Sequence, residues 1–296
     1  MSKPKIGFIG IGLMGSAMVH RLLATGYEVT IVANRSRPLV DKAVAAGAVE
    51  VGSAKELAAC SDIVMMCMST SDQVETRMRG DDGVLAGLPA GAVVIDFGTS
   101  LPASTKALGA ETAAVGGTYL DAPLGRTPQQ AIDGLLNIMA AGDKEAFDRV
   151  KPVLDDLGEN VFHLGALGAG HTTKLINNFF AQNIVNALSE SFAMADKAGL
   201  SRQDLYNVIS AGPLHSGMMD FLSVYALEGD PSKLQFSIKN ASKDVGYYVQ
   251  MTKDAGVKTL MGDNTLAALE GANAAGMGEQ LVPEILEYYI DQFKDG

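Results

Sequence analysis

Short apolar runs rich in β-branched residues alternate with helical stretches through the first half of the chain. A short apolar run bounded by glycine or a polar turn is typical of a buried strand, whereas a longer periodic stretch is typical of a helix. The predicted strands are 5–9, 28–33, 63–67, 93–96, 118–121, 136–140 and 161–163, and the predicted helices are 16–25 and 38–46. This repeated order of strand, helix and strand predicts a mostly parallel sheet with helices on both faces.

The pattern changes after residue 163. A glycine-rich segment at 164–170 precedes a helix predicted at 172–198, which is apolar around much of its circumference and is therefore expected to be buried. Further helices are predicted at 201–209, 216–226, 238–255, 264–275 and 283–293. We therefore predict an α/β domain with a doubly wound parallel sheet at 1–163 and an all-helical domain at 164–296, joined by the long helix.

A glycine motif lies where the first predicted strand gives way to the first helix. Gly10, Gly12 and Gly15 form GxGxxG, with Leu13 and Met14 between the last two glycines. The first glycine of such a motif permits a tight turn, the second lets the backbone approach a pyrophosphate, and the third lets the helix pack on the strand. Because a helix N-terminus also attracts anions, this segment predicts a dinucleotide site.

The turn after the second strand indicates which dinucleotide binds. A carboxylate there accepts hydrogen bonds from the ribose 2′-hydroxyl of NAD(H). This chain has Asn34, Arg35, Ser36 and Arg37 instead. Guanidinium and hydroxyl groups suit a 2′-phosphate, so the turn predicts that NADP(H) is preferred, with NAD(H) still possible. The alternative is a solvated basic turn without a ligand.

Two further segments carry candidate chemistry. Gly125, Arg126 and Thr127 follow a predicted strand and offer backbone, guanidinium and hydroxyl donors to an anionic substrate group; a plain turn with a surface arginine is the alternative. Lys174 and Asn178 are four residues apart, on one face of the long helix. A protonated amine stabilises and protonates the oxygen formed by hydride transfer to a carbonyl, although a polar row on a helix would look the same.

Composition and charge exclude several classes of partner. Hydrophobic residues make up 47% and charged residues 19%, as in folded globular proteins, and the net charge of −11 disfavours nucleic acid. The two cysteines form no CxxC pair, which favours a reducing cytoplasm, and the four histidines lack metal-ligand spacing, so no metal site is expected. The first apolar run is interrupted by glycine and too short to span a bilayer, so no membrane partner is expected.

Five ordered motifs together resemble the β-hydroxyacid dehydrogenase family, which includes the 3-hydroxyisobutyrate dehydrogenases. The motifs are GFIGIGLMG at 7–15, DFGTS at 96–100, DAPLGRT at 121–127, GAGHTTKLINN at 168–178 and the pair Lys243-Asp244. The resemblance implies a Rossmann domain, a long interdomain helix and a helical domain that forms homodimers or homotetramers.

The resemblance also implies roles for individual residues. Lys174 would be the catalytic acid and base, and Asn178 a residue of the substrate site. Met68 and Thr99 would line the nicotinamide end of the cofactor, while Lys243 would approach the cofactor or substrate and Phe236 would form a pocket wall.

Gly125-Arg126-Thr127 stands where most members of the family have Ser-Gly-Gly. This version resembles the branch of 3-sulfolactaldehyde reductases, which is also linked to succinic semialdehyde chemistry. That branch usually favours NADH, whereas the turn at Asn34 favours NADP(H). We therefore expect an NADP(H)-dependent enzyme that interconverts a short anionic aldehyde and its hydroxy acid.

Two alternatives remain from the sequence. An imine reductase shares the fold and an Asn-Arg cofactor turn, but such enzymes typically carry Asp or Tyr where this chain has Lys174. A non-catalytic NADP-binding protein would need only the glycine motif.

Overall fold

The structure is a computed structural model and describes residues 3–34 and 37–294. Backbone contacts divide the chain into two compact units, of which the first ends at Lys174 and the second begins at Leu175. The division therefore falls inside a long helix, α9 (Ala169–Lys197), rather than at the expected boundary between residues 163 and 164. The physical reason is that the first turn of α9 is hydrogen-bonded to the sheet of the first unit, through Asp121.

The first unit alternates strands and helices. Its strands are β1 (Ile6–Ile9), β2 (Val29–Val32), β3 (Val49–Val51), β4 (Ile63–Met66), β5 (Val93–Asp96), β6 (Thr118–Asp121), β7 (Leu124–Gly125), β8 (Leu136–Gly142) and β9 (Gly158–His163). Its helices before α9 are α1 (Leu13–Ala24), α2 (Arg37–Ala45), α3 (Ala54–Ala59), α4 (Ser71–Met78), α5 (Val84–Gly87), α6 (Pro102–Ala114), α7 (Pro128–Ile132) and α8 (Lys144–Leu157).

The strands form one mostly parallel sheet in the order β3-β2-β1-β4-β5-β6-β8-β7, with β9 paired to β8. The first six strands have the order of a dinucleotide-binding fold, in which β1 lies between β2 and β4. β8 runs antiparallel to β6 and β7, and parallel to β9. The doubly wound parallel sheet predicted from the sequence is confirmed.

Both faces of this sheet are covered by helices. Along β1, Ile6 and Phe8 belong to one buried cluster, whereas Ile9 belongs to a second cluster. In β4, Met65 joins the first cluster and Met66 the second. Because successive side chains of a strand point to opposite faces, a strand that is buried on both faces reads as a continuous apolar run. This is why the central strands were recognisable in the sequence.

The second unit is helical in its described part, apart from one isolated bridge between Ser237 and Leu281. Its remaining helices are α10 (Arg202–Ser210), α11 (Gly217–Glu228), α12 (Ile238–Asp254), α13 (Leu260–Ala272) and α14 (Ile285–Lys294), with short 3₁₀ turns at Pro231–Lys233 and Val282–Glu284 and an irregular turn at Asn273–Met277. Its largest core joins α9, α12, α13 and α14 through Val185, Ile238, Val245, Leu269 and Ile285.

Across residues 3–34 and 37–294, we find no helix with the length and apolar character that a bilayer crossing requires.

Candidate active site

The loop after β1 has the backbone that the glycine motif predicts. Gly10 has a φ of +101°, and a Cβ there would lie 2.3 Å from the carbonyl oxygen of Cys67. At Gly15, a Cβ would lie 1.9 Å from the carbonyl oxygen of Gly10. Larger side chains at these two positions would therefore push the loop away from β4 or α1 away from the loop.

The N-terminus of α1 is open to an anion. Gly12 is the residue that precedes the helix and supplies no capping side chain, and a Cβ placed on it would meet no atom within 4 Å. Leu13 is 73% exposed, whereas Met14 is half-buried against the core. Uncapped N–H groups beside open space fit the pyrophosphate of a dinucleotide.

The turn after β2, where the sequence predicts contacts with the 2′-phosphate, is described only in part. Arg35 and Ser36 lie outside the described residues. Arg37 begins α2, where its guanidinium forms ion pairs with Asp41 and, at 2.6 Å, with Glu50. Much of its charge is therefore already compensated. Sequence reasoning also missed Arg77 of α4, whose Nη2 donates a hydrogen bond of 3.0 Å to Oδ1 of Asn34.

The loops after β4 and β5 meet beside the glycine loop. Met68 follows β4, and its sulfur is 3.0 Å from the position of a Cβ on Gly10. A Cβ on Gly98, in the loop after β5, would lie 3.0 Å from the carbonyl oxygen of Met68. Thr99 is the next residue and is half-buried. Met68 and Thr99 therefore lie in adjoining loops at the carboxyl edge of the sheet, where ligands bind in open α/β folds.

Asp121 ends β6 and holds the start of α9. Its Oδ1 accepts a hydrogen bond of 2.8 Å from the backbone N–H of Gly168, and its Oδ2 accepts one of 2.7 Å from that of His171. Gly170 lies between them, and a Cβ there would be 2.2 Å from the carbonyl oxygen of Met139. The helix can therefore begin at Ala169, three residues before the predicted start, because a small residue lets its first turn touch the sheet.

A buried polar cluster surrounds this contact. The ring of His171 is 0% exposed, and its Nδ1 is 2.7 Å from the hydroxyl of Thr105. Its Nε2 lies 3.7 Å from Oδ2 of Asp96, without a hydrogen-bond partner among the described residues. Burial, followed by the charges of Asp96 and Asp121, raises the pKa of Tyr119 well above its usual value. Asp121 and His171 are therefore buried supports of the site. Both lie within the motifs at 121–127 and 168–178, but the sequence did not indicate their contact with each other.

Lys174 lies one turn beyond His171 and is the last residue of the first unit. Its side chain is half-buried. Since α9 is bound to Asp121 at its first turn, the backbone of Lys174 is held near the carboxyl end of β6. An ammonium group can stabilise negative charge on a nearby oxygen and donate a proton to it.

The segment Gly125-Arg126-Thr127 has an unusual backbone. Arg126 has a φ of +82°, a conformation that costs a non-glycine residue roughly 1–3 kcal/mol. Gly125 pairs with Asn137 of β8. The hydroxyl of Thr127 caps α7 and donates a hydrogen bond of 3.1 Å to Oε1 of Gln130, so it is engaged within its own turn.

The guanidinium of Arg126 is partly engaged. Nη1 donates a hydrogen bond of 2.7 Å to the carbonyl oxygen of Leu135. The same nitrogen forms an ion pair of 2.5 Å with Oε2 of Glu159. Within the described part of the chain, Nη2 and Nε have no hydrogen-bond partner. Two of the three guanidinium nitrogens are therefore not used by the described residues, although Glu159 offsets part of the charge.

In the second unit, Asn178 belongs to a separate chain of polar contacts. Its Nδ2 donates a hydrogen bond of 2.6 Å to Oδ2 of the buried Asp244. The ammonium of Lys243 lies 2.8 Å from Oδ1 of Asp244, as an ion pair without hydrogen-bond geometry. Phe236 is half-buried against the core of this unit. Asp244 therefore contacts both Asn178 and Lys243, for which the family resemblance implied separate roles.

In the described ranges, no group of three or more His, Cys, Asp or Glu side chains is arranged to hold a metal ion.

The glycine loop after β1 and the strand order are those of a dinucleotide-binding domain, and the comparisons place this domain in a nicotinamide-dependent oxidoreductase. The profile of the NAD binding domain of 6-phosphogluconate dehydrogenase matches residues 5–165. The profile described as NAD-binding of NADP-dependent 3-hydroxyisobutyrate dehydrogenase matches residues 168–289. The chain belongs to the 3-hydroxyisobutyrate dehydrogenase-like β-hydroxyacid dehydrogenase family and is an NAD(P)-dependent oxidoreductase that acts on CH–OH groups.

Similar proteins span nearly the whole chain. A 3-sulfolactaldehyde reductase of Escherichia coli is 33% identical over 288 residues, which cover 95% of this chain and 94% of that protein. A 2-(hydroxymethyl)glutarate dehydrogenase of Eubacterium barkeri is 30% identical over 287 residues, covering 96% and 94%. The solved 3-hydroxyisobutyrate dehydrogenase of Mycobacterium tuberculosis with L-serine has a TM-score of 0.84 at 24% identity, covers 97% of this chain and 99% of its own, and shows the shared fold.

Proposed function

We propose that this protein is an NADP(H)-preferring reductase that interconverts a short aldehyde bearing an anionic group and the corresponding hydroxy acid. The observation that carries the proposal is the position of Lys174, half-buried on a helix whose first turn is bound to Asp121 at the carboxyl edge of the dinucleotide-binding sheet. The names of the similar proteins support the substrate class, since a sulfolactaldehyde and a glutarate both carry an anionic group.

The chemistry divides between the cofactor and the chain. When bound, NADPH supplies the hydride that reduces the carbonyl carbon. The uncapped N-terminus of α1 binds the pyrophosphate and so orients the cofactor. The ammonium of Lys174 stabilises the negative charge that develops on the carbonyl oxygen and then donates its proton to that oxygen. In the reverse direction, the neutral amine of Lys174 takes the proton from the hydroxyl group.

Asn178 and Lys243 have proposed supporting roles. Because Asn178 donates its amide N–H to Asp244, its orientation is set by a buried carboxylate. Asp244 likewise holds Lys243 at 2.8 Å. We assign Asn178 to substrate binding, Lys243 to the approach of cofactor or substrate, and Phe236 to a pocket wall. Met68 and Thr99 are assigned to the nicotinamide end of the cofactor.

A substrate panel tests the proposal. Oxidation of NADPH and of NADH is measured with succinic semialdehyde, sulfolactaldehyde, glyoxylate, tartronate semialdehyde and methylmalonate semialdehyde, each against a neutral aldehyde of similar length. We expect a higher kcat/KM with NADPH and with at least one anionic aldehyde. Equal or better efficiency with NADH would refute the cofactor preference. Tight NADPH binding without turnover of any aldehyde would instead favour the non-catalytic alternative.

Substitution of Arg126 tests how the anion is held. In Arg126→Gln, the charge-assisted hydrogen bonds to the substrate anion are lost, so we expect KM for anionic aldehydes to rise about 10-fold or more, with little change in kcat. KM for neutral aldehydes should stay within about twofold, because they make no such contact.

Glu159→Gln is the matched control for this substitution. Removing the carboxylate that lies 2.5 Å from Nη1 leaves more of the guanidinium charge for the substrate, so KM for anionic aldehydes should fall. Since Glu159 is half exposed, the fall should be only about twofold. If Arg126→Gln and Glu159→Gln shift KM in the same direction, or leave the preference for anions unchanged, Arg126 does not bind the substrate anion.

A further inference from the structure

The structure brings the segment after β2 and the helix after β4 together beside the glycine motif. In the sheet, β1 lies between β2 and β4, and all three strands are parallel. Their carboxyl ends therefore meet at one edge. Asn34 follows β2, while α4 follows β4 and carries Arg77. The two side chains are 43 residues apart in sequence, yet they are joined by the hydrogen bond from Nη2 to Oδ1.

Three arginines of the described residues lie in or next to these elements, and they differ in how their charges are compensated. Arg37 forms ion pairs with Asp41 and Glu50. Arg79, just beyond α4, forms ion pairs with Glu75 and Glu111. Among the described residues, Arg77 has no carboxylate within 4.0 Å, and its Nη2 donates instead to the neutral amide oxygen of Asn34. Of these three cations, Arg77 therefore keeps its charge for an external anion.

The contact with Asn34 also orients Arg77. A guanidinium has five N–H donors in a planar fork, and the bond to Asn34 uses one of them. Accepting that bond leaves the amide NH₂ of Asn34 as a further donor. Asn34 is exposed and Arg77 is half-buried, so solvent reaches this pair while the arginine stem is held by its helix. An oriented guanidinium beside an amide donor is well matched to a phosphate, which accepts several hydrogen bonds.

We propose that Arg77, positioned by Asn34, supplies the positive charge that binds the 2′-phosphate of NADP(H). This inference rests on the proposed preference for NADP(H). It places the positive charge that binds the 2′-phosphate on α4, whereas the sequence predicted it in the turn after β2. Arg37 then serves to fix the start of α2 through Asp41 and Glu50 rather than to contact the cofactor.

Binding of two nucleotide fragments to the full chain tests the assignment. 2′,5′-ADP carries the 2′-phosphate and 5′-AMP lacks it, so the ratio of their Kd values, measured by calorimetry, isolates the contribution of that phosphate. We expect the wild-type protein to bind 2′,5′-ADP more tightly. In Arg77→Gln, Kd for 2′,5′-ADP should rise about 10-fold or more, while Kd for 5′-AMP should change by less than about twofold.

Arg79→Gln is the matched control, because it removes the same group two residues further on, where the charge is already paired with Glu75 and Glu111. In Arg79→Gln, the ratio of the Kd values for 2′,5′-ADP and 5′-AMP should equal the ratio in the wild-type protein. A second readout is kinetic: Arg77→Gln should raise KM for NADPH without raising KM for NADH.

The outcomes separate the two proposals. If the wild-type protein prefers 2′,5′-ADP and Arg77→Gln retains that preference, Arg77 is excluded and the cofactor preference stands. An equal loss of affinity for both fragments in Arg77→Gln would show a structural role and would also overturn the assignment. If the wild-type protein binds the two fragments equally well, the preference for NADP(H) fails and the role of Arg77 fails with it.

Discussion

Lys174→Ala is expected to lower kcat by about 10²–10⁴-fold for every aldehyde that the wild-type protein reduces, because the proton donor to the carbonyl oxygen is removed. The loss should fall on kcat rather than on cofactor affinity, since the glycine loop and α1 are untouched. Single-turnover reduction and fluorescence titration with NADPH measure the two quantities separately.

Two variants make the result for Lys174 specific. Lys151→Ala removes the same side chain from an exposed pair with Asp155 on α8 and should leave kcat within about twofold. Lys174→Arg keeps the positive charge but gives up its proton far less readily, so it should recover only part of the lost rate. Should Lys174→Ala bind NADPH normally and keep most of its turnover, the proton must come from another group.

Asp121→Asn is expected to destabilise the protein by about 2–4 kcal/mol, because a buried carboxylate that accepts two backbone hydrogen bonds is replaced by an amide. The amide oxygen can still accept from one of the two N–H groups, but its NH₂ faces the other donor. Both the sheet edge and the first turn of α9 lose their shared contact. For a unit of this size the midpoint of thermal unfolding should fall by about 5–15 °C.

Asp148→Asn is the matched control for Asp121→Asn. Asp148 is exposed on α8 and pairs with Lys144 four residues earlier. The same loss of charge should therefore change stability by less than about 0.5 kcal/mol. An Asp121→Asn variant that melts within about 2 °C of this control would mean that the start of α9 does not depend on the carboxylate.

Most strands of the sheet and the helices of the second unit were predicted from the sequence, whereas the helices from α3 to α8 were not. The predicted strands at 93–96 and 118–121 coincide with β5 and β6, because buried parallel strands are continuous apolar runs between turns. The helix predicted at 238–255 differs from α12 by one residue. Short elements such as β3 and β7 were not predicted, since three or two residues are too few to show a period.

The sequence predicted the candidate site only where the residues of the site are close together along the chain. Gly10, Gly12 and Gly15 form one loop, so their spacing alone indicates the phosphate site. Contacts between distant segments carry no such signal. The pairing of Arg126 with Glu159 and of Asn178 with Asp244 depends on how strands and helices pack.

The sequence by itself determined the glycine loop, the alternation of strands and helices in the first half of the chain, and the family. Each of these depends on residues that are close together along the chain. The tertiary structure decided which charges remain available. It paired Arg37 with two carboxylates, joined Arg77 to Asn34 across 43 residues, and bound the first turn of α9 to Asp121. The physical reason is that ion pairs and buried hydrogen bonds act over a few ångströms, so only the folded chain determines which groups meet.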